Sequence, residues 1–212
     1  MDEIALLERL HWLGHSSFRL DGPPTLYFDP WKVPADAPPA EIILVSHDHF
    51  DHCSPEDVKR ISGPQTVIVA NPSAAGKLKG FTVQVLRPGE RTTVGEVEIE
   101  AVPAYNVGKP FHPRRADHVG FVVTVGGERL YFAGDTDLIP EMAQVRCDVA
   151  LLPVSGTYVM TAEEAAQAAR RINPCIAIPM HYGGGVVGTR ADAERFRDLY
   201  EGEVVILEAE GA

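Results

Sequence analysis

The chain has 212 residues, enough to bury a sizeable core, and 45% hydrophobic with 23% charged residues is the composition of a globular protein. Its 30 acidic and 19 basic residues give a formal net charge of −11, which repels phosphate backbones and argues against nucleic acid as the main partner. No apolar run approaches the roughly 20 residues of a bilayer span, and Met1-Asp2-Glu3-Ile4 lacks the basic start and apolar core of a signal peptide, so a cytoplasmic location is expected.

The first third alternates short apolar runs with turns, and strands are predicted over 9–13, 17–20 and 25–29. Ile42-Ile43-Leu44-Val45 is a continuous apolar run, the mark of a buried strand. Ser54-Pro55-Glu56-Asp57 then supplies an N-cap, a proline at N1 and an acidic N3, so a helix starts there. Further strands are predicted over 66–70, 81–86, 91–94 and 97–102, with a short helix beginning at Asn71-Pro72. Residues 105–117 form an irregular loop, and 119–125 with 129–133 form a hairpin around Gly126-Gly127. Beyond it lie strands over 149–153, 175–179 and 203–208. Two helices intervene, one opened by the capping box Thr161-Ala162-Glu163-Glu164 and one by Thr189-Arg190-Ala191-Asp192. No repeat, low-complexity tract or linker divides the chain, so residues 1–212 are expected to form one domain of sheets covered by helices.

The three cysteines, Cys53, Cys147 and Cys175, are widely spaced and odd in number, so reduced thiols are expected rather than a disulfide framework. Cys147 and Cys175 each open an apolar run, and burial is the expected role of both.

Three of the 8 histidines stand with two aspartates in the run His47-Asp48-His49-Phe50-Asp51-His52, directly after the buried strand. Imidazole and carboxylate are the usual ligands of borderline and hard divalent ions, so metal binding is expected at this turn. His47 and His49 can converge on one ion, with Asp51 and His52 facing a second.

His47-x-His49-x-Asp51-His52 resembles the signature of the metallo-β-lactamase superfamily. Several further segments are similar to it in family order. They are Trp12-Leu13-Gly14-His15-Ser16-Ser17, Phe28-Asp29-Pro30, Phe132-Ala133-Gly134-Asp135-Thr136 and Pro179-Met180-His181-Tyr182. The group that looks most similar is the small single-domain hydrolases of the ascorbate-6-phosphate lactonase type. The resemblance implies an α+β fold, a four-layer αββα sandwich, and two divalent ions, zinc first with manganese or iron as alternatives. It makes His47 and His49 ligands of one ion and Asp51, His52 and His181 ligands of the other, with Asp135 between them. Asp29 would orient a ligand histidine.

One position departs from the family pattern. Pro103-Ala104-Tyr105-Asn106 puts an asparagine where a further histidine ligand is expected, and His112 in the same loop is the replacement we expect, with direct coordination by Asn106 or a weak first site as alternatives. His118 is the poorer candidate. His15 could donate a proton or a hydrogen bond, and Tyr158 could polarise a leaving group. Lys109, Arg114 and Arg115 could form an anion pocket, although an ordinary solvated loop explains them equally well.

The resemblance implies a hydrolase that turns a metal-bridged hydroxide on a small ester, lactone or phosphoester, with Asp51, Asp135 and His15 at the reaction. A phosphorylated or acidic sugar lactone is the first substrate class by that analogy. A nuclease or phosphodiesterase and a non-catalytic metal-binding regulator are the alternatives. The expected partner is a small molecule, neutral or anionic, with neither membrane nor nucleic acid, and the sequence leaves the oligomeric state open.

Overall fold

Period-two alternation decides which face of each strand is buried, and the run Ile42-Ile43-Leu44-Val45 displays it. Ile42 and Leu44 join one hydrophobic cluster while Ile43 and Val45 join another on the opposite face. A strand buried on both faces lies in a sheet covered on both sides. The computed structural model describes residues 4–210.

Six strands make the first sheet, in the order β1-β2-β3-β4-β5-β6. They are β1 (Leu10–Gly14), β2 (Ser17–Leu20), β3 (Leu26–Phe28), β4 (Ala40–Val45), β5 (Ser62–Ala70) and β6 (Val83–Val85). The second sheet contains β7 (Arg91–Val94), β8 (Val97–Pro103), β9 (Val119–Val125), β10 (Glu128–Phe132), β11 (Val149–Pro153), β12 (Ile176–Met180) and β13 (Glu203–Val204). Its spatial order is β13-β12-β11-β10-β9-β8-β7. Each sheet joins an antiparallel part to a parallel one, β3 to β6 in the first and β10 to β13 in the second.

The inner faces of the two sheets meet through aromatic rings. Phe28 stacks on Phe132 with centroids 5.2 Å apart, and Phe18 meets the same ring edge-on at 6.4 Å. Helices α2 (Pro55–Ile61) and α3 (Pro72–Lys77) pack Val58, Ile61 and Ala74 on the outer face of the first sheet. Helices α4 (Ala162–Ile172) and α5 (Arg190–Leu199) cover the second. Alanines at 162, 165, 166, 168 and 169 give α4 a flat buried face that approaches its sheet closely. The fold is α+β, four layers in the order αββα.

Three local expectations change. A helix, α1 (Ala5–Arg9), precedes β1, too short to carry a periodic signal; its first free N–H groups, on Ala5 and Leu6, donate to the Glu128 carboxylate at 2.8 and 2.7 Å. The final strand ends at Val204 rather than 208, because the chain then crosses to the first sheet, where Ala209 bridges Trp12 and Glu210 N donates to Trp12 O at 2.8 Å. Cys175 is exposed and Cys147 only partly buried, so the packing expected of both holds for neither in full. Among the described residues, no helix is long and apolar enough to cross a membrane.

Candidate metal centre

The chemistry-bearing residues lie just past the carboxyl ends of the parallel strands. Asp29 follows β3, His47 follows β4, Asp135 follows β10, Ser155 follows β11 and His181 follows β12. At such ends the backbone has left the ladder and side chains turn inward across the crevice between sheets. Several do so in strained conformations: His15, Asp29 and His181 have φ of 52°, 42° and 61°. The Gly134 that precedes Asp135 has φ +65°, and a Cβ there would stand 2.8 Å from Val119 O, so only glycine fits this turn.

Two four-residue groups result. His47, His49, His112 and Asp135 form one, and His15, Asp51, His52 and His181 the other; in each, one ligand atom per residue lies within 4.8 Å of the rest. Asp135 stands between them: Oδ2 is 3.2 Å from both His112 Nε2 and His181 Nε2, while Oδ1 is 3.3 Å from His52 Nε2. Within the second group His15 Nε2 meets Asp51 Oδ2 at 3.1 Å.

Every histidine that supplies such an atom, His15 and His49 apart, is fixed through its other ring nitrogen. Ser46 Oγ bonds His47 Nδ1 at 2.9 Å, Asp29 Oδ2 bonds His52 Nδ1 at 2.7 Å, and Ser155 Oγ bonds His181 Nδ1 at 2.8 Å. His112 Nδ1 meets Asn106 Oδ1 at 3.1 Å. Support of this kind fixes the ring orientation and leaves Nε2 turned inward. Asp29 also accepts Ser46 N at 2.7 Å and Ser46 Oγ at 2.6 Å, so one buried carboxylate anchors the β4 end and His52 together.

The electrostatics are those of a charge-dense, dry site. Burial opposes ionisation of Asp135, but His181 and His52 beside it, and the bonds from His112 and His181, hold its carboxyl well below the usual carboxylate range. Burial and the neighbouring His52 push the His47 imidazole well down. For His52 burial acts downward too, yet Asp135 and Asp29 together raise it well above its ordinary value. Burial raises Asp29 despite its bonds from His52 and Ser46.

Four buried atoms of the two groups lack a hydrogen-bond partner: His15 Nδ1, His47 Nε2, His52 Nε2 and Asp135 Oδ1. Such atoms cost about 1–3 kcal/mol each when nothing satisfies them. Divalent cations in the two groups would satisfy the last three of these atoms, and mixed imidazole and carboxylate donors suit zinc, manganese or iron, so the residues present fit a metal.

The loop after β8 brings His112, not Asn106, into the first group. Asn106 stands behind it, bonded through Nδ2 to Tyr158 O at 2.8 Å. His118 is in neither group; it lies against His47 with centroids 4.8 Å apart, its imidazole pushed down to about 4 by burial and by His112 and His49. Tyr158 lines the cleft over the two groups, together with Phe50, Phe111 and Val186. The expected anion pocket is not assembled. Lys109 Nζ donates to Asp137 Oδ1 at 2.7 Å and Val159 O at 2.6 Å, Arg114 pairs with Glu141 at 2.9 Å, and neither they nor Arg115 lines the cleft. The supporting roles of Ser46, Ser155 and Asn106 escaped the sequence reading; adjacency to His47 was the one available signal, and it served only Ser46.

The family model for the Beta-lactamase superfamily domain matches residues 9–181. A UPF0173 metal-dependent hydrolase of Methanoculleus marisnigri is 38% identical over 186 residues, covering 82% of this chain and 80% of its own. Another, from Thermoplasma acidophilum, is 34% identical over 206 residues and covers 90% of each. A crystal structure from Parabacteroides distasonis superposes with a TM-score of 0.85 at 34% identity, covering 95% of this chain and 93% of its own. The chain is a member of the metallo-β-lactamase superfamily, in a branch whose curated relatives are named metal-dependent hydrolases.

Proposed function

We propose that the protein hydrolyses a small ester, lactone or phosphoester at a two-ion centre. The observation that carries this reading is the pair of four-donor groups sharing Asp135, with three inward atoms that no protein group satisfies. His47, His49 and His112 would hold one ion and Asp51, His52 and His181 the other, with Asp135 available to both. Bound there, the ions would polarise the scissile group and lower the pKa of water.

The chain's own residues do the rest. Asp29, Ser46, Asn106 and Ser155 fix the four rings. His15 keeps the Asp51 carboxylate aimed through their 3.1 Å contact, and Asp51 accepts the proton given up by the attacking water. In an ester the water oxygen bonds to the acyl carbon, the acyl–oxygen bond breaks, and that proton ends on the leaving oxygen. Nucleic acid is disfavoured as substrate by the charge of −11 and by the commitment of Lys109 and Arg114 to internal partners.

The test is a panel of esters, lactones and phosphodiesters assayed before and after chelation. Turnover that disappears with the chelator and returns with zinc or manganese supports the reading. Turnover indifferent to chelation, or absent throughout, defeats it. His15→Ala separates two roles: both ions are expected to remain with kcat reduced, whereas loss of an ion makes His15 a ligand.

A further inference from the structure

The cleft above the two donor groups encloses about 370 Å³, near the lower end of the roughly 300–1,000 Å³ typical of small-molecule sites. Its floor is ionic: His49, Asp51, His112, Asp135 and His181. The upper walls have the opposite character. Phe50 stands on one side, Phe111 and Tyr158 on another, and Val186 on the loop after His181. Phe50 and Phe111 are 65% and 42% exposed, two of the four most exposed large hydrophobics among the described residues, and both are at this mouth.

Each ring rests against a second aromatic ring. Phe50 meets Trp31 edge-on at 5.9 Å, and Trp31 in turn meets His15 at 5.7 Å. Phe111 meets Tyr158 edge-on at 4.7 Å, and the Tyr158 backbone is tied to Asn106. Rings held open to water over a reactive floor keep apolar surface available to a ligand.

The cations around the mouth are already matched. Lys77, the sole cationic side chain in the lining, donates to Asp48 O, and its Nζ stands 3.8 Å from Asp48 Oδ2. Lys32 donates to Gly184 O at 2.8 Å and lies over the Trp31 ring at 4.3 Å. With Lys109 and Arg114 bonded elsewhere, no unpaired basic cluster among the described residues lines this cleft to meet a substrate phosphate or carboxylate.

Resting on the hydrolytic reading above, we infer that the substrate is an uncharged ester or lactone whose apolar, aliphatic or aromatic, group seats between Phe50, Phe111, Tyr158 and Val186. Phosphorylated and acidic sugar lactones lack the surface these walls recognise and carry a charge they do not meet. The aromatic walls set specificity; the ionic floor handles the scissile bond.

A pair matched in chain length tests the effect of charge: p-nitrophenyl valerate against the mono-p-nitrophenyl ester of glutaric acid. Binding is read separately, by calorimetry with p-nitroanisole on metal-loaded and on chelator-treated protein. The neutral ester is expected to show the higher kcat/KM, and p-nitroanisole to bind both forms. Phe50→Ala and Phe111→Ala are each expected to weaken p-nitroanisole binding roughly tenfold and to raise KM by a similar factor, with metal content unchanged. Preference for the glutarate ester, abolished by Lys77→Ala, would overturn the inference, as would phenylalanine variants with unaltered Kd and KM. Should p-nitroanisole bind and the variants lose it while no ester is turned over, hydrolysis is the part that has failed and the apolar recognition stands.

Discussion

Asn106 grips His112 at two points: its Oδ1 accepts the His112 backbone N–H at 2.9 Å and meets the ring Nδ1 at 3.1 Å. An amide oxygen can only accept, so the imidazole donates from Nδ1 and turns Nε2 inward, 3.2 Å from both Asp135 Oδ2 and His49 Nδ1. The amide cannot flip, because Nδ2 is spent on Tyr158 O. Removing this support in Asn106→Ala is expected to weaken the first metal site about tenfold, within the 10–100-fold range for such partners. Competition against a chelating dye reads the change, and unaltered affinity would show that His112 needs no support.

Asp29→Asn keeps the size of a fully buried side chain but replaces one acceptor oxygen with a donor. Ser46 N, Ser46 Oγ and His52 Nδ1 all require acceptors there, at 2.7, 2.6 and 2.7 Å. One buried donor is left unsatisfied, worth about 1–3 kcal/mol. At about 2–4 °C per kcal/mol for a chain of this size, a fall of several degrees in Tm is expected in the metal-free protein. An unchanged Tm would mean that water or a turned side chain replaces the lost acceptor.

Two glycines give opposite signs. A Cβ at Gly120 in β9 would lie 2.6 Å from the carbonyl oxygens of both Phe132 and Ala133, so Gly120→Ala must part β9 from the end of β10 that delivers Asp135. A Cβ at Gly76 in α3 meets nothing within 4 Å and φ there is not positive. Gly76→Ala is expected to gain about 0.5–1 kcal/mol, and Gly120→Ala to lose several times that. Thermal melts of the two variants check the contrast; a stabilised Gly120→Ala would show that the close approach relaxes freely.

The thiols are expected to separate by reactivity. Cys175 is exposed, whereas Cys53 is buried and burial pushes the partly buried Cys147 thiol up to about 12. Native protein treated with a disulfide reagent near pH 8 is expected to release about one equivalent, and unfolded protein all three. Loss of the single fast equivalent in Cys175→Ser checks the assignment.

Much of the candidate site was legible because its potential donors adjoin one another or sit in motifs at strand ends. His47, His49, Asp51 and His52 lie within six consecutive positions after a run that reads as a buried strand. Asp135 and His181 came from segments similar to the family's. Other roles depend on contacts that no local pattern carries. Glu128 meets the start of α1 across more than 120 residues. Lys109 looked like an anion ligand because its partner Asp137, 28 residues on, is visible only in the fold. Most strands shifted by one or two residues at their ends and β5 begins four residues before the expected 66, whereas 119–125 and 149–153 fall where the alternation and apolar runs place them. The last strand stops early because the tail is drawn across to Trp12.

Metal content per chain, measured by elemental analysis on wild type beside His112→Ala, tests the central reading most directly. Two ions in wild type and one in His112→Ala are the expected result, with Asn106→Ala losing its first ion more readily than wild type under chelator. One ion in all three proteins would contradict a two-ion centre completed by His112.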